Sequence, residues 1–272
     1  MNANSVISTD AEKASLIVKV NVNGVVRVTF NRPEKGNAYT GEMLDRLEES
    51  LDWIAADGGA RVLVLTGSGA HFQAGADLNW VRQVSEGDSD TVRKVSEKTT
   101  RVLHRLNSLT LPTVALINGA CFGGGVGIAA CCDTVIASTD AKFAISEVLF
   151  GQAPLPIVPQ LNATIGHRNS RRYALTGERF TSLTAQEIGL VHEVVPADRL
   201  ESRGEEIVTA YLRASPSAIA RTKKAFLEWE AAGRGEAQFI DLSRGAAEQR
   251  LSKESAEGLR AFLERRDPAW FQ

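Results

Sequence analysis

The feature that most restricts what this chain can become is Gly123-Gly124-Gly125. An apolar run, Val114 to Ile117, leads through Asn118-Gly119-Ala120-Cys121-Phe122 into the three glycines, and a small-residue stretch through Val126, Gly127, Ile128, Ala129 and Ala130 leaves them. This order reads as strand, glycine turn, helix. At the first turn of such a helix the backbone N–H groups lack intrahelical partners, and glycine puts no Cβ in front of them. The positive end of the helix dipole falls at the same place, so the turn suits an oxygen that gains negative charge during a reaction. Spacing excludes the common nucleotide loops. Ile128 stands three residues after Gly125, where a Gly-x-Gly-x-x-Gly motif needs glycine, and no Gly-Lys-Ser/Thr follows. Gly67-Ser68-Gly69 lacks the spacing of a serine-hydrolase elbow. A tightly packed turn with no ligand is the plain alternative.

A second loop of the same kind, Gly67 to Leu78, follows a buried-strand pattern from Arg61 to Thr66. Upstream, Ser15 to Val20 and Val25 to Phe30 flank Asn21-Val22-Asn23-Gly24 and read as a hairpin. Thr40 suits a helix N-cap, and Met43, Leu44, Leu47, Leu51 and Ile54 keep helical spacing until Asp57-Gly58-Gly59. Polar Glu86 to Asp90 precedes a second long helix carrying Val92, Val95, Val102, Leu103 and Leu106 and closed by Pro112. Asp133 to Ala137 reads as another strand. Strand and helix alternation of this kind predicts an α/β core with crossover connections, residues 15–196. Residues 197–272 are nearly all helix: 197–214, 217–232, 236–251 and 254–266, broken at Pro216, Gly233 and Gly235. Residues 1–14 read as a disordered polar tail.

With 272 residues, 43% hydrophobic and 24% charged, the chain can bury a full core. A net charge of −2 and a pI near 6.1 argue against a general nucleic-acid binder. No apolar run approaches the ~20 residues that span a bilayer, and the first residues lack the order of a signal peptide, so no membrane association and a cytoplasmic place are expected. Cys121, Cys131 and Cys132 are too few and too close for an extracellular disulfide framework and are expected to pack. His71, His104, His167 and His192 show no paired ligand spacing, and no metal is expected.

The two glycine loops carry a resemblance. Phe72-Gln73-Ala74-Gly75-Ala76-Asp77-Leu78 with Asn118-Gly119 and Gly123-Gly124-Gly125 resembles the enoyl-CoA hydratase/isomerase (crotonase) superfamily, over about Val18 to Phe271. Within it the chain is most similar to bacterial methylglutaconyl-CoA and carboxygeranoyl-CoA hydratases, through residues 74–80, 123–127, 146–148 and 171–180. The resemblance implies a spiral of ββα units with a helical C-terminal trimerisation region, a homotrimer or homohexamer, and an acyl-CoA thioester substrate whose coenzyme A is no separate cofactor.

It also implies the chemistry. Backbone N–H groups of Ala76 and Gly124 would hold the thioester oxygen as it becomes an enolate. Of the family's two carboxylates, one position is Gly127 here and the other is Glu147, so Glu147 would act alone as acid and base, with partial burial raising its pKa. Gly127 would leave room for water or a substrate branch. For coenzyme A the resemblance points to Lys35, Ala38, Ala74, Ala76, Asp77 and Leu78, with Phe262 and Arg265 from the tail. Asp77 also reads as a cap, and Lys35 and Arg265 as solvated charges. The expected reaction is reversible hydration of a 2-enoyl-CoA, of branched methylglutaconyl type. A Δ3,Δ2-enoyl-CoA isomerase, and a catalytically silent scaffold or RNA-binding relative, stand as alternatives.

Overall fold

The computed structural model describes residues 14–56, 59–231 and 236–271. Two sheets organise it. Strands β1 (Leu16–Val20), β2 (Val25–Phe30), β3 (Val62–Gly67), β5 (Thr113–Ile117), β7 (Thr134–Ser138) and β10 (Glu193–Val195) form the larger, in the order β1-β2-β3-β5-β7-β10. Only the β1–β2 hairpin is antiparallel, with Val18 opposite Val28. Short strands β4 (His71–Gln73), β6 (Ala120–Phe122), β8 (Lys142–Ala144) and β9 (Phe180–Thr181) form the smaller, in that order. Each pair β3/β4, β5/β6 and β7/β8 therefore gives one long strand to the first sheet and one short strand to the second, the spiral of an α/β crotonase-like fold.

Burial follows from how the larger sheet is covered. Val62 to Thr66 of β3 are all buried, without alternation, as expected for a parallel strand covered on both faces. Leu63 and Leu65 join the main core with Leu47 and Leu51 of α1 (Gly41–Ala56) and Leu103 and Leu106 of α3 (Ser89–Ser108). Val62 and Val64 face the other way, onto Leu200 and Leu212 of α7 (Leu200–Arg213). Between α1 and α3 lies a short helix, α2 (Leu78–Ser85), with no fully buried residue. Helix α4 (Gly124–Ala130) leaves the glycine turn, and α5 (Val158–Thr176) and α6 (Ser182–Glu187) follow β8 and β9.

The tail continues as α8 (Pro216–Ala231), α9 (Glu236–Arg250) and α10 (Lys253–Glu264). It is tied to its own core. Arg61 donates to the carbonyls of Leu212 at 3.1 Å and Trp270 at 2.9 Å, and Lys223 reaches Asp133 Oδ2 at 2.7 Å. The expected polar tail falls on residues 1–13, outside the described residues, except Ala14. That residue is buried and its carbonyl accepts from Asn31 Nδ2 at 3.0 Å, so Ala14 packs with the core. The expected stops at Asp57-Gly58 and Gly233–Gly235 also lie outside the described residues. Among the described residues no helix is long and apolar enough to cross a membrane.

Candidate active site

Three loops leave the C-terminal ends of the parallel short strands β4, β6 and β8, and they meet. After β6, Gly123 donates its N–H to Ala144 O at 2.8 Å, which fixes the turn against the end of β8. Gly124 then opens α4 as its first residue, so its own N–H has no intrahelical carbonyl to reach. After β4, Tyr39 N–H bonds Gly75 O and Asp77 N–H bonds Tyr39 O, both at 2.9 Å. In such a bridge the intervening Ala76 N–H points away from Tyr39. Among the described residues neither Ala76 N–H nor Gly124 N–H has a hydrogen-bond partner.

The glycine triplet is required because side chains occupy what would be its Cβ positions. A Cβ built on Gly123 would stand 2.8 Å from Glu147 Oε1; on Gly124, 2.7 Å from Tyr39 Cε1; on Gly125, 2.7 Å from Gln73 Oε1. Any larger residue would displace one of the three. Glu147 opens a 3-10 turn after β8, and its carboxyl is pushed above the usual carboxylate range by burial, with its own backbone N–H pulling weakly the other way. Glu147 Oε2 is buried without a partner among the described residues. The Tyr39 phenol is pushed up to about 12, first by burial and then by the nearby Glu147 charge. Gln73 is buried, with Oε1 accepting from Gly75 N–H at 2.9 Å and Nε2 unpartnered.

Buried side chains clamp these loops together. Arg32 donates to Ala38 O at 2.6 Å and to Asp77 Oδ2 at 3.0 Å, and Asn37 Nδ2 donates to Ser68 O and His71 O at 2.9 and 2.7 Å. Asn118 Nδ2 ties the glycine turn's approach to Gly67 O and Gly69 O. Asp77 caps α2, its Oδ1 accepting from Asn79 and Trp80 N–H at 3.0 and 3.3 Å. Burial would raise its carboxyl, but the Arg32 guanidinium and the two N–H groups outweigh that and hold it low.

Of the residues expected from sequence, Ala74, Ala76, Leu78, Gly124 and Glu147 line one cavity of about 1050 Å³. Asp77 is beside it as a cap. Lys35 is exposed and Ala38 buried, both off the wall; Phe262, 82% exposed on α10, and Arg265, its C-cap, do not reach this chain's own cavity. The room expected at Gly127 does not exist: a Cβ there would stand 2.2 Å from Ile157 Cγ2, so an isoleucine fills that space. Cys121, Cys131 and Cys132 are free and buried, and burial pushes their thiols up. Sequence reasoning missed Tyr39, Gln73 and Ile157. The one available signal was a phenol and an amide standing beside the two marked loops.

Two N–H groups without partners and one buried carboxylate on the wall of the same cavity can, together, stabilise a carbonyl oxygen that turns anionic and move a proton beside it. The chain is similar to the hydroxycinnamoyl-CoA hydratase-lyase of Pseudomonas fluorescens, 35% identical over 78% of this chain and 80% of that protein. It is similar to the mevalonyl-coenzyme A hydratase of Aspergillus fumigatus, 32% identical over 90% and 91%. The crystal structure of an enoyl-CoA hydratase from Shewanella pealeana superposes with a TM-score of 0.89 at 32% identity, covering 94% of this chain and 96% of that one. The family model described as enoyl-CoA hydratase/isomerase matches residues 21–272, and with these loops in place the chain belongs to that family, within the crotonase superfamily.

Proposed function

We propose that the protein catalyses the reversible hydration of a 2-enoyl-CoA thioester, with Ala76 and Gly124 N–H as the oxyanion donors and Glu147 as acid and base. The observation that carries this is the pair of unpartnered N–H groups on facing loops beside a carboxyl raised by burial. Water adds its oxygen to C3 while Glu147 takes its proton, the π electrons move onto the thioester oxygen, and the enolate recovers a proton at C2. Each donor is worth about 3 kcal/mol of transition-state stabilisation in comparable sites. An isomerase is the second reading. A single carboxylate at this end of the cavity suits a proton moved between C4 and C2, since Glu97, also on the wall, is exposed and paired with Arg93.

The motif resemblance supports a branched methylglutaconyl-type acyl group, but the wall argues for an uncharged one. Met43, Leu44, Leu47, Val102, Leu103 and Leu106 line it, and the lining guanidinium, Arg101, already bonds Glu48 at 2.7 Å. Coenzyme A enters as part of the substrate, near Ala74 to Leu78, Lys35 and Ala38. Phe262 and Arg265 join this reading only from a neighbouring copy, in a homotrimer or homohexamer of cytoplasmic protein. The test is a panel of straight, branched and carboxylated enoyl-CoA thioesters followed by product mass. A gain of one water supports the hydratase; a moved double bond at unchanged mass supports the isomerase; no change in any of them leaves a silent relative.

A further inference from the structure

A water that attacks C3 must aim a lone pair at that carbon, which fixes the direction of both its O–H bonds. One acceptor leaves it free to turn about the single hydrogen bond; two hold it. Glu147 supplies the first acceptor, and the position of the second follows from what else stands over the glycine turn. We propose, resting on the hydratase reading, that Tyr39 is the second group that holds the attacking water, through its phenol oxygen.

Both groups stand against the same glycine turn, at neighbouring residues. Glu147 Oε1 lies 2.8 Å from the Cβ position of Gly123, and Tyr39 Oη lies 3.5 Å from the Cβ position of Gly124, the next residue of the same turn. The two groups are near enough that the Glu147 charge acts on the phenol. Both residues line the cavity, and among the described residues the phenol oxygen has no hydrogen-bond partner. The ring itself is held. Its backbone is pinned on both sides by Gly75 and Asp77, and its edge meets the Trp80 ring at 5.8 Å between centroids. A clamped aromatic with a free polar tip on the cavity wall is a preorganised partner for a small polar molecule.

The chemistry selects Tyr39 over its neighbours. Gln73 Oε1 is turned onto Gly75 N–H, and its free Nε2 is a donor, which cannot receive a hydrogen from water. The space at Gly127 is closed by Ile157. A phenol whose ionisation lies near 12 stays neutral, so it accepts from water without repelling Glu147, as a second carboxylate at this distance would. Tyr39 gains and loses no proton. The water proton passes to Glu147, the C3–O bond forms, and Glu147 returns a proton to C2; Tyr39 is a positioning residue.

Tyr39→Phe tests this, because it removes one unbonded oxygen and keeps the ring. Two reactions are read on the same variant: hydration of an enoyl-CoA that the wild type turns over, and deuterium exchange at C2 of the corresponding saturated acyl-CoA in heavy water. Exchange needs Glu147 and the N–H donors but adds no water to carbon. The expected result is hydration slowed ~30-fold or more, with exchange and KM within about threefold of wild type. Hydration at the wild-type rate overturns the proposal. So does an equal loss of both reactions, which would give Tyr39 a role in holding the enolate or the loop. Ser146, which lines the same cavity, is the rival acceptor; if Ser146→Ala lost hydration and Tyr39→Phe did not, the role would pass to it. Failure of the hydratase reading is seen separately: a wild type that moves a double bond without taking up water has no water to hold.

Discussion

Glu147 carries two costs that a structural residue would shed: its carboxyl is drawn out of water, and Oε2 has no partner among the described residues. Glu147→Gln is expected to cut turnover by a factor on the order of 100 or more with thioester binding nearly unchanged, read by steady-state kinetics and by direct binding of a saturated acyl-CoA. The sign of the pH effect follows from the raised pKa. The base form is lost as pH falls through that value, so the acid limb of kcat/KM lies above the usual carboxylate range, and the variant lacks it. Stability runs the other way. A carboxyl that binds its proton more tightly folded than unfolded costs stability as pH rises through that window, so the neutral amide should melt no lower than wild type at neutral pH. Wild-type turnover in a folded variant would remove Glu147 from the mechanism. That Ala76, Gly124 and Glu147 come together at one cavity was legible because each belongs to a short contiguous motif. Tyr39 and Ile157 were not, because their meaning depends on which glycine they face once the chain has folded, and no spacing encodes that.

Helices α1 and α3 were readable from their apolar periodicity, and β3 and β5 from unbroken buried runs. Helix α2 was missed because it has no fully buried residue and so no stripe to detect. The smaller sheet was missed for a different reason. Strands of two or three residues carry too little alternation to register. Yet the ends of β4, β6 and β8 position all three parts of the site, so the least legible elements set its geometry. What holds those ends is polar, and Asp77 is the test of it. Its side chain caps α2 and takes Arg32, which also holds Ala38 O, so one carboxylate joins the loop before α1 to the loop bearing Ala76. Asp77→Ala is expected to lower stability by about 1–2 kcal/mol, measured by denaturant unfolding. Turnover should fall further than the loss of fold explains, as the Ala76 donor loosens. The effect needs an ionised carboxylate: since the folded pKa is depressed, the contribution is present above the ordinary aspartate pKa and fades as pH falls through the folded value. Asp77→Asn, which can still cap but cannot pair with Arg32, should lie between. An unaltered melting curve for Asp77→Ala would mean the loops are held without it.

At the scale of the whole molecule, the tail presents what its own chain leaves uncovered. Helices α7 and α8 are anchored on the core through Leu200, Leu212 and Lys223, but Leu251, Leu259, Phe262 and Leu263 at the end of the chain are 89%, 62%, 82% and 72% exposed. Large apolar side chains gathered on one terminal segment mark a surface made for contact, and the proposed homotrimer or homohexamer gives it a counterpart. A stable interface buries ~800 Å² per partner. The assembly would also bear on the reaction: Phe262 and Arg265 lie away from this chain's own cavity, so the coenzyme A contact proposed for them would have to cross an interface. Light scattering is therefore expected to give three or six chain masses at micromolar concentration. On dilution below the assembly's dissociation range, KM for the thioester should rise before kcat falls, since Ala76, Gly124 and Glu147 all belong to one chain while the proposed tail contacts do not. A monodisperse monomer with unchanged KM would remove both the oligomer and the tail from the coenzyme A site, leaving the catalytic loops as they stand.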